Sequence, residues 1–215
     1  MMTINIIGTV GAGKTTLAKK LQSATNLPVG YEANSEELTK ETRNLLVKYY
    51  ENPKKYALEK NLFFLKQREN TLLENKKYDA YISDRFLYDD FLMALLNVRN
   101  EQMSDDEWNT YLSAFDQVES RFYHKTAESK DVVIFIKPSF EQTLDQIKQR
   151  GRKEEQVSSN PDLKEYYRTM YDMYIEIFSK WESTPKITIN SVDDTDINDL
   201  IVKIKSLQPD LAEFM

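Results

Sequence analysis

The sequence predicts an α/β domain built on a mainly parallel sheet, and three observations carry that expectation. Five short apolar or alternating runs are each followed by a helical pattern. The fourth of them, Val132-Val133-Ile134-Phe135-Ile136, is apolar without a break, as a strand covered on both faces must be. The first leads directly into a glycine loop and a helix, Ile4-Asn5-Ile6-Ile7-Gly8-Thr9-Val10-Gly11-Ala12-Gly13-Lys14-Thr15-Thr16-Leu17. No internal repeat or low-complexity linker interrupts the pattern, so residues 1–215 read as one domain.

The opening unit fits the phosphate-loop pattern G-x-x-x-x-G-K-[ST], with Gly8, Gly13, Lys14 and Thr15 in register, Gly11 inside it and Thr16 directly after it. Glycines let the backbone curl so that several N–H groups converge on phosphate oxygens at a helix N-terminus, where the helix dipole also favours an anion. Lys14 is then expected to reach the β- and γ-phosphates and Thr15 to hold magnesium.

Leu27-Pro28-Val29-Gly30-Tyr31-Glu32 reads as a short strand that ends on an acid. In a parallel sheet the carboxyl ends of the strands border the ligand, so Glu32 is expected beside the loop. A polar helix over 35–50 precedes Asn52-Pro53, and Pro53 suits the first turn of a longer helix to about Glu74. There Leu58, Leu62, Leu65 and Leu72 form a core stripe, while Asn61, Phe64 and Arg68 share another face. Two polar groups flanking an aromatic is an odd face to give to water.

The third strand, Tyr78 to Ser83, ends in Asp84-Arg85, and the helix after it carries Asp90. Ser104 and Glu107 spell a capping box that opens a helix with Trp108, Tyr111, Leu112, Phe115, Val118 and Phe122 at core or subunit-interface spacing. Ser139 and Gln142 cap the helix after the fourth strand, which ends in Lys148-Gln149-Arg150-Gly151-Arg152-Lys153. This basic stretch has no core role and is a candidate lid over phosphates, at about 150–160. Pro161 opens a long helix whose apolar side runs from Leu163 to Trp181. Lys186 to Asn190 is the last strand and Ile197, Leu200, Ile201 and Ile204 mark the last helix.

Composition narrows the chemistry. With no cysteine, disulfides and thiolate zinc sites are excluded, and a reducing cytoplasm is the compartment expected. His124 is the one histidine, in a surface-helix setting, which argues against histidine triads. A net charge of −6 argues against a nucleic-acid partner. Met1-Met2-Thr3 enters the first strand without a leader, and no apolar run approaches membrane-spanning length, so no membrane partner is expected.

These pieces together resemble the deoxyribonucleoside kinases, most closely the mycoplasma-type bacterial deoxyadenosine kinases. The matching pieces are the phosphate loop, Tyr31-Glu32, Tyr49-Tyr50 before Asn52-Pro53, Asp84-Arg85 and Arg150-Gly151-Arg152-Lys153-Glu154-Glu155, in the family's order along nearly the whole chain. The resemblance implies a P-loop kinase fold, a five-stranded parallel sheet flanked by helices with a short arginine-bearing lid. It implies ATP and Mg2+, a deoxynucleoside acceptor, a cytoplasmic enzyme and a homodimer formed through the helices at 87–96 and 108–122.

Residue by residue, the resemblance makes Glu32 the base that takes the proton from the 5′-hydroxyl, Asp84 a magnesium ligand with Thr15, and Arg85 a contact to the 5′-oxygen and the transferring group. Arg150 and Arg152 close from the lid, and Asp193 borders the donor's adenine. Tyr50 and Glu155 hold the sugar 3′-hydroxyl, while Asn61, Phe64, Arg68 and Asp90 meet the base. Four positions depart from the family pattern: Asn61 replaces a glutamine, Gln146 an arginine, Ala94 an aromatic, and Phe86 a serine or threonine. Arg68 with Asp90 resembles relatives that take deoxypurines or deoxycytidine. The competing readings are a thymidylate-kinase-like nucleoside monophosphate kinase and a regulatory subunit that binds nucleotide without catalysis.

Overall fold

The computed structural model describes residues 2–31, 39–123, 130–158 and 160–215. Glu32, His124 and the start of the helix expected from Ser35 lie outside the described residues.

Five parallel strands run in the order β2-β3-β1-β4-β5: β1 Met2–Ile7, β2 Val29–Gly30, β3 Ala80–Ser83, β4 Val132–Ile136 and β5 Lys186–Ile189. The helices are α1 Lys14–Thr25, α2 Lys40–Glu51, α3 Pro53–Asn75, α4 Leu87–Arg99, α5 Asp105–Phe122, α6 Phe140–Arg150, α7 Asp162–Ser179 and α8 Ile197–Leu207. The chain divides into two compact units. One holds the sheet with α1, α6, α7 and α8, and the other holds α2, nearly all of α3, α4 and α5.

In the sheet unit, alternation sorts side chains to two faces. Ile4 and Ile6 of β1, Ile82 of β3 and Val132, Ile134 and Ile136 of β4 join Leu17, Ala18 and Leu21 of α1 and Leu200 and Ile204 of α8 in one buried cluster. On the opposite face Phe135 of β4 meets Phe178 of α7, ring centroids 5.3 Å apart. Trp181, expected on the long helix, lies two residues past its end at Ser179, and its ring still packs on Phe178 and Phe86.

The helical unit has its own core of Tyr49, Ala57, Leu65, Leu72, Leu87, Ala94, Met103, Tyr111, Phe115 and Val118. Leu58 and Leu62 of the expected stripe are only partly buried against it. The buried face of α3 instead runs through Ala57, Asn61, Leu65, Arg68 and Leu72, so Asn61 and Arg68, expected on a separate face, share it with the two buried leucines. Pro53 opens α3, and the capping boxes at Ser104/Glu107 and Ser139/Gln142 form as the spacing predicts. The α5 aromatics Tyr111 and Phe115 are fully buried in this core. Among the described residues, no helix is long and apolar enough to cross a membrane.

Candidate active site

The sheet unit carries the residues expected to hold phosphate. Gly11 and Gly13 take φ of +80° and +91°, a left-handed backbone that side chains resist, and this is how the loop turns tightly from β1 into α1. A Cβ on Gly11 would come within 2.8 Å of Ile147 Cγ1, and one on Gly13 within 3.1 Å of Val192 Cγ2. Gly13 caps α1 without a side chain, and the first turn holds no acid. The N-terminus therefore keeps its N–H groups and its positive end for an anion.

Lys14 folds over its own loop and donates from Nζ to the carbonyls of Gly8 (2.7 Å) and Thr9 (3.0 Å). Thr16, next on α1, is exposed. Thr15 Oγ1 donates to Asp84 Oδ2 at 2.8 Å, and Asp84 is only 2% exposed. The sheet explains this meeting. Asn5 of β1 pairs with Ser83 of β3 in parallel register, so the residue after Ser83 emerges at the same edge as the loop after β1. Asp84 N–H also donates to the Gly30 carbonyl at 3.1 Å, which ties β2 to this edge. Arg85 is half-buried, and its carbonyl accepts from Ser83 Oγ at 2.7 Å.

A hydroxyl and a carboxylate held together are hard oxygen ligands of the kind Mg2+ takes.

The expected lid folds around Glu155, which is buried at 5% exposure. Its carboxylate accepts from Arg150 Nη2 and, at 3.4 Å, from Arg152 Nη1, while its backbone carbonyl accepts from Tyr167 Oη at 3.0 Å. Three residues expected to contact separate parts of the ligands thus pair with one another. Gln146, which the resemblance sets against an arginine, has Oε1 buried without a hydrogen bond among the described residues. Past β5, Asp193 is largely exposed and 3.6 Å from Lys20 Nζ. A cavity of about 460 Å³ lies between this loop and α8, lined by Ser191, Asp194, Thr195, Asp196 and Lys203, and Asp193 is not part of its wall.

The helical unit holds the expected base-reading groups. Arg68 Nε donates to Asp90 Oδ2 at 2.9 Å, and both side chains are 3% exposed. Burial, then the Asp90 charge, pushes the Tyr111 hydroxyl well above its ordinary pKa, and that hydroxyl has no hydrogen-bond partner among the described residues. Asn61 is buried too, donating from Nδ2 to Asn97 Oδ1 (2.9 Å) and Met103 Sδ (3.3 Å). Phe64 is half-buried, edge-on to Phe63, and the half-buried Tyr50 leans on Tyr49. Ala94 is fully buried and Phe91 packs between Trp108 and Phe115.

Sequence reasoning missed Lys60, Asn97 and Gln102, which join Asn61 and Tyr49 in one largely buried polar network. The one legible signal was Asn97, a lone amide inside the apolar run Leu95-Leu96-Asn97-Val98.

Comparison with known proteins agrees with this geometry. The family model for deoxynucleoside kinases matches residues 4–212. A deoxyguanosine kinase of Lactobacillus johnsonii is 29% identical over 88% of this chain and 82% of its own. A deoxyadenosine kinase of Dictyostelium discoideum is 30% identical over 94% of this chain and 78% of its own. The structure of deoxyadenosine kinase from M. mycoides with bound dATP superposes with a TM-score of 0.70 at 23% identity, covering 99% of this chain and all of that one. With a glycine loop, an Asp-Arg strand end and a match along almost its full length, the chain belongs to the deoxynucleoside kinase family.

Proposed function

We propose that this enzyme transfers the γ-phosphoryl group of ATP to the 5′-hydroxyl of a deoxynucleoside, with a purine base preferred. The observation that carries the phosphoryl-transfer reading is the Thr15–Asp84 contact at the mouth of the glycine loop. Deoxyguanosine and deoxyadenosine kinases among the relatives support the purine.

The loop N–H groups and Lys14 hold the triphosphate. Thr15 and Asp84 would hold Mg2+, which would supply charge neutralisation on the phosphates. Glu32 accepts the proton of the 5′-hydroxyl as its oxygen bonds to the γ-phosphorus. The bond to the β,γ-bridging oxygen breaks, and ADP leaves with that electron pair. Arg85, Arg150 and Arg152 place fixed positive charge where the equatorial oxygens gain negative charge. Since both lid arginines bond Glu155, ligand binding has to share these groups between the phosphates and the sugar 3′-hydroxyl, which Glu155 and Tyr50 hold. Asn61, Phe64, Arg68 and Asp90 receive the base, and Asp193 lies by the donor's adenine. One domain with a lid at about 150–160 does this work.

A neutral acceptor beside a carboxylate distinguishes this reading from monophosphate kinases, whose site must hold an acceptor phosphate. The enzyme acts in the cytoplasm, in line with a chain free of cysteine. A homodimer through α4 and α5 completes the proposal on the family resemblance alone, because the large hydrophobics exposed among the described residues, such as Leu73 and Val202, lie elsewhere. Turnover with Mg·ATP on the four deoxynucleosides tests substrate choice. Deoxyadenosine or deoxyguanosine should give the highest kcat/KM, and a thymidine preference would overturn the purine assignment.

A further inference from the structure

Lys60 precedes Asn61 on α3 and is 4% exposed, an unusual burial for a lysine. Its Nζ lies 4.2 Å from the Tyr49 ring centroid and donates to Asn97 Oδ1 at 3.1 Å. The same Oδ1 accepts from Asn61 Nδ2 at 2.9 Å, while Asn97 Nδ2 donates to Tyr49 Oη (2.7 Å) and Gln102 Oε1 (2.6 Å). Asn97, with no exposed surface, thereby uses both lone pairs and both N–H groups.

Polarity in this network has one strong source. Asparagine and glutamine amides can turn over, and a tyrosine hydroxyl can donate or accept. Met103 Sδ is only a weak acceptor. A lysine ammonium donates and never accepts, so the Asn97 atom that meets it has to be oxygen. That oxygen demands an N–H from Asn61, so Asn61 turns its Nδ2 inward and is left with a carbonyl to offer.

We propose that Lys60 is a positioning residue for substrate choice: acting through Asn97, it fixes the Asn61 amide with its oxygen offered to the base, selecting bases that present an N–H. This rests on the reading that Asn61 meets the base.

The test compares deoxyadenosine with purine 2′-deoxyriboside, the same ring with hydrogen at C6 and only acceptors on that edge. The wild type should favour deoxyadenosine by about tenfold or more in kcat/KM, the worth of about one oriented hydrogen bond. In Lys60→Met the amide is released to turn over, and the ratio should shrink several-fold, chiefly through a lower relative KM for purine 2′-deoxyriboside. Lys60→Arg, which also only donates, should keep the ratio. Lys60→Gln keeps a polar partner of reversible polarity and serves if the Met variant does not fold; it too should shrink the ratio. A purely structural Lys60 would lower both substrates together and leave the ratio unchanged, which overturns the proposal. Asn61→Ala separates the underlying reading: unchanged KM for both substrates would remove Asn61 from the base site, whereas a shrunken ratio there with a wild-type ratio in Lys60→Met and Lys60→Gln would overturn the role of Lys60 alone.

Discussion

Replacing Arg68 by Met leaves the Asp90 carboxylate buried without the cation 2.9 Å away, in a setting where each side chain is 3% exposed. Removing one partner of such a pair costs about 3–5 kcal/mol, because the remaining charge has lost this cation but not its desolvation. The aromatic hydroxyl of Tyr111, already raised by burial and by Asp90, offers no replacement charge. Replacing both partners, Arg68→Met with Asp90→Leu, removes the desolvation cost as well and should return stability to within about 2 kcal/mol of the wild type. Urea unfolding measures this. Trp108 lies in the same unit, stacked on Tyr111 at 5.9 Å, so its fluorescence in a Trp181→Phe background reports on the right core. With a urea slope of about 2 kcal/mol/M, the single change should lower the midpoint by about 1.5–2.5 M. The doubly substituted enzyme should fold yet lose base selection. Single-variant losses below about 1 kcal/mol, or strictly additive losses in the double variant, would refute the reasoning.

Gly11→Ala forces a side chain onto a backbone at φ +80° and drives its Cβ to 2.8 Å from Ile147 Cγ1 and 3.1 Å from the Thr143 carbonyl. It should cost about 1–3 kcal/mol in thermal unfolding and weaken ATP binding in calorimetry, since α6 has to shift away from the loop. Asp131, whose Oδ1 accepts from Thr3 N–H at 2.9 Å, has its carboxyl raised by burial to about 6. The folded chain therefore holds this proton where the unfolded chain, at about 3.9, has released it. Stability from this group is full below about pH 4 and declines as pH rises through about 6. Asp131→Asn keeps the acceptor and removes the titration, so it should flatten that slope and raise the melting temperature at pH 7.5 but not at pH 4.

Local chemistry with short reach was the legible part of this chain. The glycine loop, Pro53 and the two capping boxes each satisfy their backbone groups within a few residues, so their spacing was sufficient. The parallel sheet followed from strand-helix alternation, which put Asp84 at a strand's carboxyl end; its pairing with Thr15 across 69 residues was implied by the family resemblance. The end of α7 was overrun because Trp181 continues the apolar pattern after the backbone has left the helix, packing on Phe178 from beyond it. Arg152 and Glu155 stand three apart, a spacing that favours pairing, and reading each as a ligand contact did not anticipate that they also meet each other. Lys60 was invisible for a different reason. Its partners come from α2, α4 and the turn after α4, and nothing in the local pattern of α3 distinguishes a buried lysine from an exposed one.

The central claim is that a carboxylate-activated neutral hydroxyl, and not a phosphate, accepts the phosphoryl group. Initial rates with Mg·ATP on deoxyadenosine and, separately, on dAMP test it most directly. The account predicts stoichiometric dAMP and ADP from deoxyadenosine and no dADP from dAMP; efficient conversion of dAMP to dADP with deoxyadenosine left untouched would contradict it.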